Sequence, residues 1–136
     1  GVKYTANDFY TMERIRTACK DVYIYSGFDE MLLSAAVLGT DGAIGSTYNI
    51  IGHWAKQLMA AVEENNLEKA RQIQTNINTV VDKLIAAGLY QTLKEVLALY
   101  GIRSNGCKMP MSKTTDKHRE YAKEIYSFIE KVDQGD

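Results

Sequence analysis

Proline, cysteine and histidine are almost missing from this 136-residue chain, and each scarcity excludes something. Cys19 and Cys107 are the only cysteines, far apart in sequence, so they read as reduced thiols of a cytoplasmic protein rather than a disulfide framework. His53 and His118 are the only histidines, and neither stands at ligand spacing from a cysteine or from the other. No metal site is expected, and each histidine reads as an ordinary helix-face residue. No apolar run approaches the ~20 residues that cross a bilayer, and no signal-peptide pattern opens the chain. The formal net charge is -1, which leaves no basic field to attract nucleic acid or an anionic membrane. An initiator Met is also lacking, and Gly1 leads straight into an extended apolar segment, as expected of an excised or processed piece. What is present, 46% hydrophobic and 24% charged residues, suits one globular domain with a real core.

The first part alternates strand with helix. Residues 1–5 read as a strand, after which Asn7 or Asp8 caps a helix carrying Phe9, Met12 and Ile15 at helical spacing. Val22-Tyr23-Ile24-Tyr25 is a second β-prone run, ended by Gly27. Asp29 begins a helix that runs to Leu38 and stops at Gly39. Residues 42–45 form a third, very short strand whose glycines ask for close backbone approach. This alternation predicts an α/β fold with a parallel sheet. The polar or Gly-bearing loops at Thr5-Ala6-Asn7, Gly27-Phe28-Asp29 and Ser46-Thr47-Tyr48-Asn49 then share one carboxyl edge.

Beyond Gly52 the pattern becomes wholly helical. Helices are expected over 54–64, 67–87 and 91–100, then a polar linker over 102–115 holding the only proline, Pro110. A last amphipathic helix spans 116–132 with Tyr121, Ile125, Phe128, Ile129 and Val132 inward. The domain reading is a β/α part over 1–66 carrying the strand-end loops, then a helical extension over 67–136 without catalytic signals.

Three runs could carry chemistry. Lys3 lies in Gly1-Val2-Lys3-Tyr4-Thr5; a lysine attacks a ketone only as the neutral amine, a form favoured in an apolar, strand-lined interior. Thr5, two residues on, shares its face of the strand. The bland alternative for Lys3 is a solvated terminal side chain. Asp29 and Glu30 follow a strand and Gly27; they either bind the hydroxyls of a polyol or merely complement a helix start. In Gly42-Ala43-Ile44-Gly45-Ser46-Thr47 the Gly-Lys-Ser/Thr ending of a phosphate-binding loop is missing, while Ser46 offers a hydroxyl at a strand end. Tyr4, Tyr23, Tyr25 and Tyr48 lie near this edge and read as packing residues with hydrogen-bonded hydroxyls.

Together, Gly1-Val2-Lys3-Tyr4-Thr5, Gly27-Phe28-Asp29-Glu30 and Asp41-Gly42-Ala43-Ile44-Gly45-Ser46-Thr47-Tyr48-Asn49 resemble the dihydrodipicolinate synthase and N-acetylneuraminate lyase family of pyruvate-dependent class I aldolases. The Lys-Tyr-Thr and Gly-Ser-Thr-Tyr-Asn runs look like its sialic acid lyase branch, and the resemblance covers nearly the whole chain. It implies the C-terminal part of a TIM (β/α)8 barrel, strands six to eight with their helices, followed by an all-helical extension. It further implies a Schiff base on Lys3 assisted by Thr5, substrate contacts from Gly27, Asp29, Glu30 and Ser46, and no cofactor. The implied reaction is aldol cleavage of N-acetylneuraminate to N-acetylmannosamine and pyruvate. The family's first five strands, its Gly-Ser-Thr-Gly-Glu loop for the pyruvate carboxylate and its strand-five tyrosine have no counterpart in these residues. The implied partners are therefore an N-terminal half of the barrel and, as in the family, further copies making a tetramer.

Two readings of different classes follow. In one, the chain is the C-terminal half of a lyase that is active once completed, on sialic acid or on another 2-keto acid aldol. In the other it is a catalytically silent fragment or interaction module held together by its helices.

Overall fold

Three short parallel strands make the one sheet among the described residues, 1–135 of the computed structural model: β1 (Val2–Tyr4), β2 (Ile24–Ser26) and β3 (Gly42–Ala43), in the order β1-β2-β3. The register pairs Val2 with Ile24, Lys3 with Tyr25, Tyr4 with Ser26, and Ser26 with Ala43. Backbone bonds from Gly27 N–H to Tyr4 O and from Ile44 N–H to Ser26 O, both 2.8 Å, carry the pairing one step past the strands. Because side chains alternate, Val2, Tyr4 and Ile24 share one face while Lys3, Thr5 and Tyr25 share the other.

The first face is covered. Buried Met12 of α1 (Phe9–Ala18), Ile24 and Ala35 of α2 (Leu32–Val37) form a cluster joined by the half-buried Val2, Tyr4, Phe9 and Ile15. Full burial of a side chain such as Ile24 or Met12 contributes about 1.5–3 kcal/mol. Asp8 caps α1, accepting from Thr11 N–H (3.1 Å) and the Thr11 hydroxyl (2.5 Å), and these bonds hold its carboxyl below the usual range. At the far end of α1, Arg16 donates to Val22 O, Gly39 O and Asp41 Oδ2. Asp41 Oδ2 also accepts Ile24 N–H at 2.7 Å. One guanidinium thus ties α1 to the amino ends of β2 and β3.

The sequence-based helix over 29–38 resolves into a single 3-10 turn (Asp29–Met31) and then α2. The second strand lies later than the β-prone run 22–25 suggests, because parallel pairing, not β propensity alone, sets its bounds. α3 (Tyr48–Glu63) begins six residues before the expected Trp54, with a kink at Ile51 (φ -129°, ψ 27°) after its first turn. Gly52 therefore sits inside the helix, just past the kink. Asn65 ends α3 in the left-handed region (φ 58°), which Asn tolerates, and Asn66 starts α4 (Leu67–Ala87) by accepting Lys69 N–H at 3.1 Å.

Chain contacts divide the protein into two units, Gly1–Asn78 and Thr79–Asp136, parting inside α4. In the first unit the buried Gln74 accepts Leu33 N–H at 2.7 Å and donates to Asp29 O at 3.2 Å, joining α4 to the start of α2. In the second, α5 (Leu89–Leu99) and α6 (Asp116–Asp133) pack together around Leu93, Val96, Ile125 and Ile129. His118 is not the helix-face residue expected: it is buried, and its Nδ1 accepts Thr115 N–H at 2.8 Å, completing a capping box at the start of α6. Gly88, at φ +121°, lets that ring come close, since a Cβ there would lie 2.8 Å from His118 Nε2. No described helix is long and apolar enough to cross a membrane.

Replacing Gln74 by Leu is expected to cost about 1–3 kcal/mol, because Leu33 N–H and Asp29 O lose their partner; denaturant unfolding measures it. Arg16 and Ile24 N–H hold the Asp41 carboxyl below its ordinary value. Its folded value is depressed, so its stabilisation is complete above the unfolded Asp value of about 3.9 and is lost as pH falls through the lower folded one. Acid titrations should show the stability gap between wild type and Asp41→Asn constant near neutrality and closing below about pH 4.

Candidate active site

Lys3 and Thr5 project from the same side of β1 and reach over the next strand's glycine. A Cβ on Gly27 would fall 1.9 Å from Thr5 Oγ1, 2.9 Å from Thr5 Cβ and 3.0 Å from Lys3 Cε. The structure thus brings these three together, with an amine and a hydroxyl above a bare backbone. On the neighbouring strand the ring of Tyr25, the register partner of Lys3, lies 3.2 Å from a Cβ on Gly42 and 3.5 Å from one on Gly1. Lys3 and Thr5 are both exposed. The apolar interior expected around Lys3 is therefore not supplied by these three strands, whose second face stays open.

The neighbouring loops meet through Asp29. Its side chain is only 7% exposed, and its Oδ2 accepts both Thr47 N–H (3.1 Å) and the Thr47 hydroxyl (2.6 Å). The carboxylate lies against Gly45, where a Cβ would come within 1.6 Å of Oδ1. Among the described residues Oδ1 meets no hydrogen-bond donor, nor does the buried Tyr48 hydroxyl meet a partner at hydrogen-bond geometry. Burial pushes the Tyr48 phenol far up, and the charges of Asp29 and Glu30 add to the effect. Tyr48 is thus neutral throughout the ordinary pH range. Glu30 is exposed and Ser46 half-buried, flanking this contact on the two loops.

Asp29 and Glu30 therefore diverge, one turned inward and one outward. The residues that the motifs alone do not single out are Thr47 and Gly45. A glycine two positions before a threonine, at the start of a helix, is the available sign that a side chain from elsewhere sits there. A cavity of about 830 Å³ runs along β3 and α3, bordered by Gly42, Tyr48, His53, Lys56 and Met59; neither Lys3, Thr5 nor Gly27 lines it. Among the described residues no three His, Cys, Asp or Glu side chains are grouped to hold a metal.

A lysine, a hydroxyl and carboxylates at or just past the carboxyl ends of parallel strands mark a β/α protein with a candidate site at the sheet edge. The profile of the Dihydrodipicolinate synthetase family matches residues 1–128, and the chain belongs to that family. The N-acetylneuraminate lyase of Fusobacterium nucleatum is 49% identical over 126 residues, covering 93% of this chain and 43% of that protein. The crystal structure of the Fusobacterium nucleatum lyase complexed with pyruvate superposes with a TM-score of 0.89, covering 93% of this chain and 43% of its own. CdNal of Clostridium difficile, solved in complex with mannosamine, superposes at 0.90 with 42% identity, covering 93% of this chain and 44% of that one. The chain spans less than half the length of the relatives it matches.

Gly45→Ala should destabilise the protein by about 1–3 kcal/mol, since the new methyl displaces a buried, hydrogen-bonded carboxylate. Gly27→Ala should be milder, because the exposed Thr5 can rotate its hydroxyl away, leaving only its Cβ, 2.9 Å off, to be relieved by a small backbone shift. Parallel thermal unfolding of the two variants checks the order.

Proposed function

We propose that this chain carries the Schiff-base side of a class I aldolase that cleaves N-acetylneuraminate to N-acetylmannosamine and pyruvate. The observation that carries it is the placement of Lys3 and Thr5 across Gly27, in a chain 49% identical to a lyase of that name. On this reading β1 to β3 are strands six to eight of a (β/α)8 barrel, and α4 to α6 its helical extension.

The Lys3 amine attacks the C2 ketone of the sugar acid, and loss of water leaves an imine on Nζ. Protonated, the imine accepts the electron pair released as the C3–C4 bond breaks, giving an enamine on the lysine and an aldehyde at C4 as the C4 hydroxyl loses its proton. Protonation of the enamine at C3 regenerates the imine, and its hydrolysis returns pyruvate and the free amine. Thr5, on the same strand face, hydrogen-bonds the bound keto acid. Gly27, Asp29, Glu30 and Ser46 form the edge against which the hydroxylated tail lies.

The exposure of Lys3 supports a role for further strands beside β1 to β3. A nucleophilic amine works in surroundings from which water is excluded, and here the five remaining strands would provide them. The partners on this reading are an N-terminal barrel half and, at the level of assembly, further copies in a cytoplasmic tetramer. That same exposure also favours a second reading, a folded but catalytically silent module.

Pyruvate with borohydride separates the two. Peptide mass spectrometry should find a reduced pyruvate adduct on Lys3 when the chain is combined with a polypeptide supplying a relative's first five strands, and none with Lys3→Arg. A folded, combined sample without the adduct refutes the lyase reading and leaves the silent module.

A further inference from the structure

Thr47 stands at the N-cap of α3, where a threonine ordinarily turns its oxygen onto the free N–H groups of the first turn. Here its side chain makes no capping bond. The hydroxyl is instead donated to Asp29 Oδ2 at 2.6 Å, and its own N–H goes to the same oxygen at 3.1 Å. Asp29 in turn opens a 3-10 turn. The start of α3 has thus given up its local side-chain cap for a buried contact between loops.

Resting on the lyase reading above, we propose that Thr47 is a positioning residue that sets the substrate-tail edge of the site. Its two bonds fix the Asp29 carboxylate and so lock the loop bearing Ser46 to the loop bearing Gly27 and Glu30. Gly45 makes the approach possible, and Gln74 holds the same turn from behind through Asp29 O. Hydrogen bonds to a charged acceptor are stronger than neutral ones, and this pair is shielded from water. The ligand class concerned is the polyhydroxylated tail of a 2-keto sugar acid. Pyruvate, which has no tail, does not test this edge.

The test compares Thr47→Val, which keeps the N–H but removes the hydroxyl, with Thr47→Ser, which keeps both donors, in the combined enzyme. Thr47→Val should still give the pyruvate adduct on Lys3. Its KM for N-acetylneuraminate should rise about tenfold, with kcat changed far less, and Thr47→Ser should restore KM. An unmoved KM in Thr47→Val, or an equal rise in both variants, overturns the inference while trapping of pyruvate keeps the lyase reading intact. Failure of wild type to trap pyruvate refutes that reading and this inference with it. A readout without catalysis uses the chain alone: the Thr47 amide should exchange at least about tenfold faster in Asp29→Ala. Equal exchange rates would count against the contact.

Discussion

The carboxyl edge depends on a register, the one that sets Lys3 beside Tyr25 and Tyr4 beside Ser26. Side chains along a strand alternate, so a slip of one residue would send Lys3 into the cluster of Met12, Ile24 and Ala35 and turn Val2 and Tyr4 to the open face. Burying an unpaired ammonium among those side chains is far more costly than any gain from the slipped pairing. The apolar face of α1 thereby fixes which way the lysine points. The bonds of Arg16 to Val22, Gly39 and Asp41 hold the same alignment from the opposite end of the sheet.

A second constraint is the cost of taking a carboxylate out of water. Asp29 is buried, and that is tolerable because Thr47 gives two donors to one of its oxygens. Two features follow from this contact: residue 45 must lack a side chain, and the Thr47 hydroxyl does not cap α3. The geometry around Ser46 is a consequence of where Asp29 has to go.

Much of this was legible in the residues themselves. Phe9, Met12 and Ile15 at helical spacing marked α1, and the helix expected over 67–87 is α4 as observed. The strand–helix alternation implied a parallel sheet with its loops on one edge, and Lys3, Thr5 and Gly27 do meet there. The direction in which a side chain turns was less legible. A carboxylate at a helix start reads the same whether it faces solvent, like Glu30, or a loop 18 residues away, like Asp29. The start of α3 was hidden because Gly45 and Gly52 look like loop residues, although one makes room for a carboxylate and the other follows a kink. His118 gave no sign of capping because its partner is a backbone N–H.

The open face of the sheet bears on how such a site can work. Parallel strands are ordinarily covered on both faces and paired on both edges, and among the described residues this sheet has one covered face and no strand beyond β1 or β3. The open face is not built for water, because it places the Tyr25 ring over Gly1 and Gly42 and leaves only backbone under Lys3 and Thr5. On the proposed reading, bare backbone beneath an amine is room for a substrate, and it has value only when something closes over it. On the proposed reading, the residues that orient the lysine and the loops are present in β1 to β3, whereas the exclusion of water would depend on groups packed across the outer edges. Positioning and desolvation are separate contributions to catalysis, and only positioning is secured within these three strands.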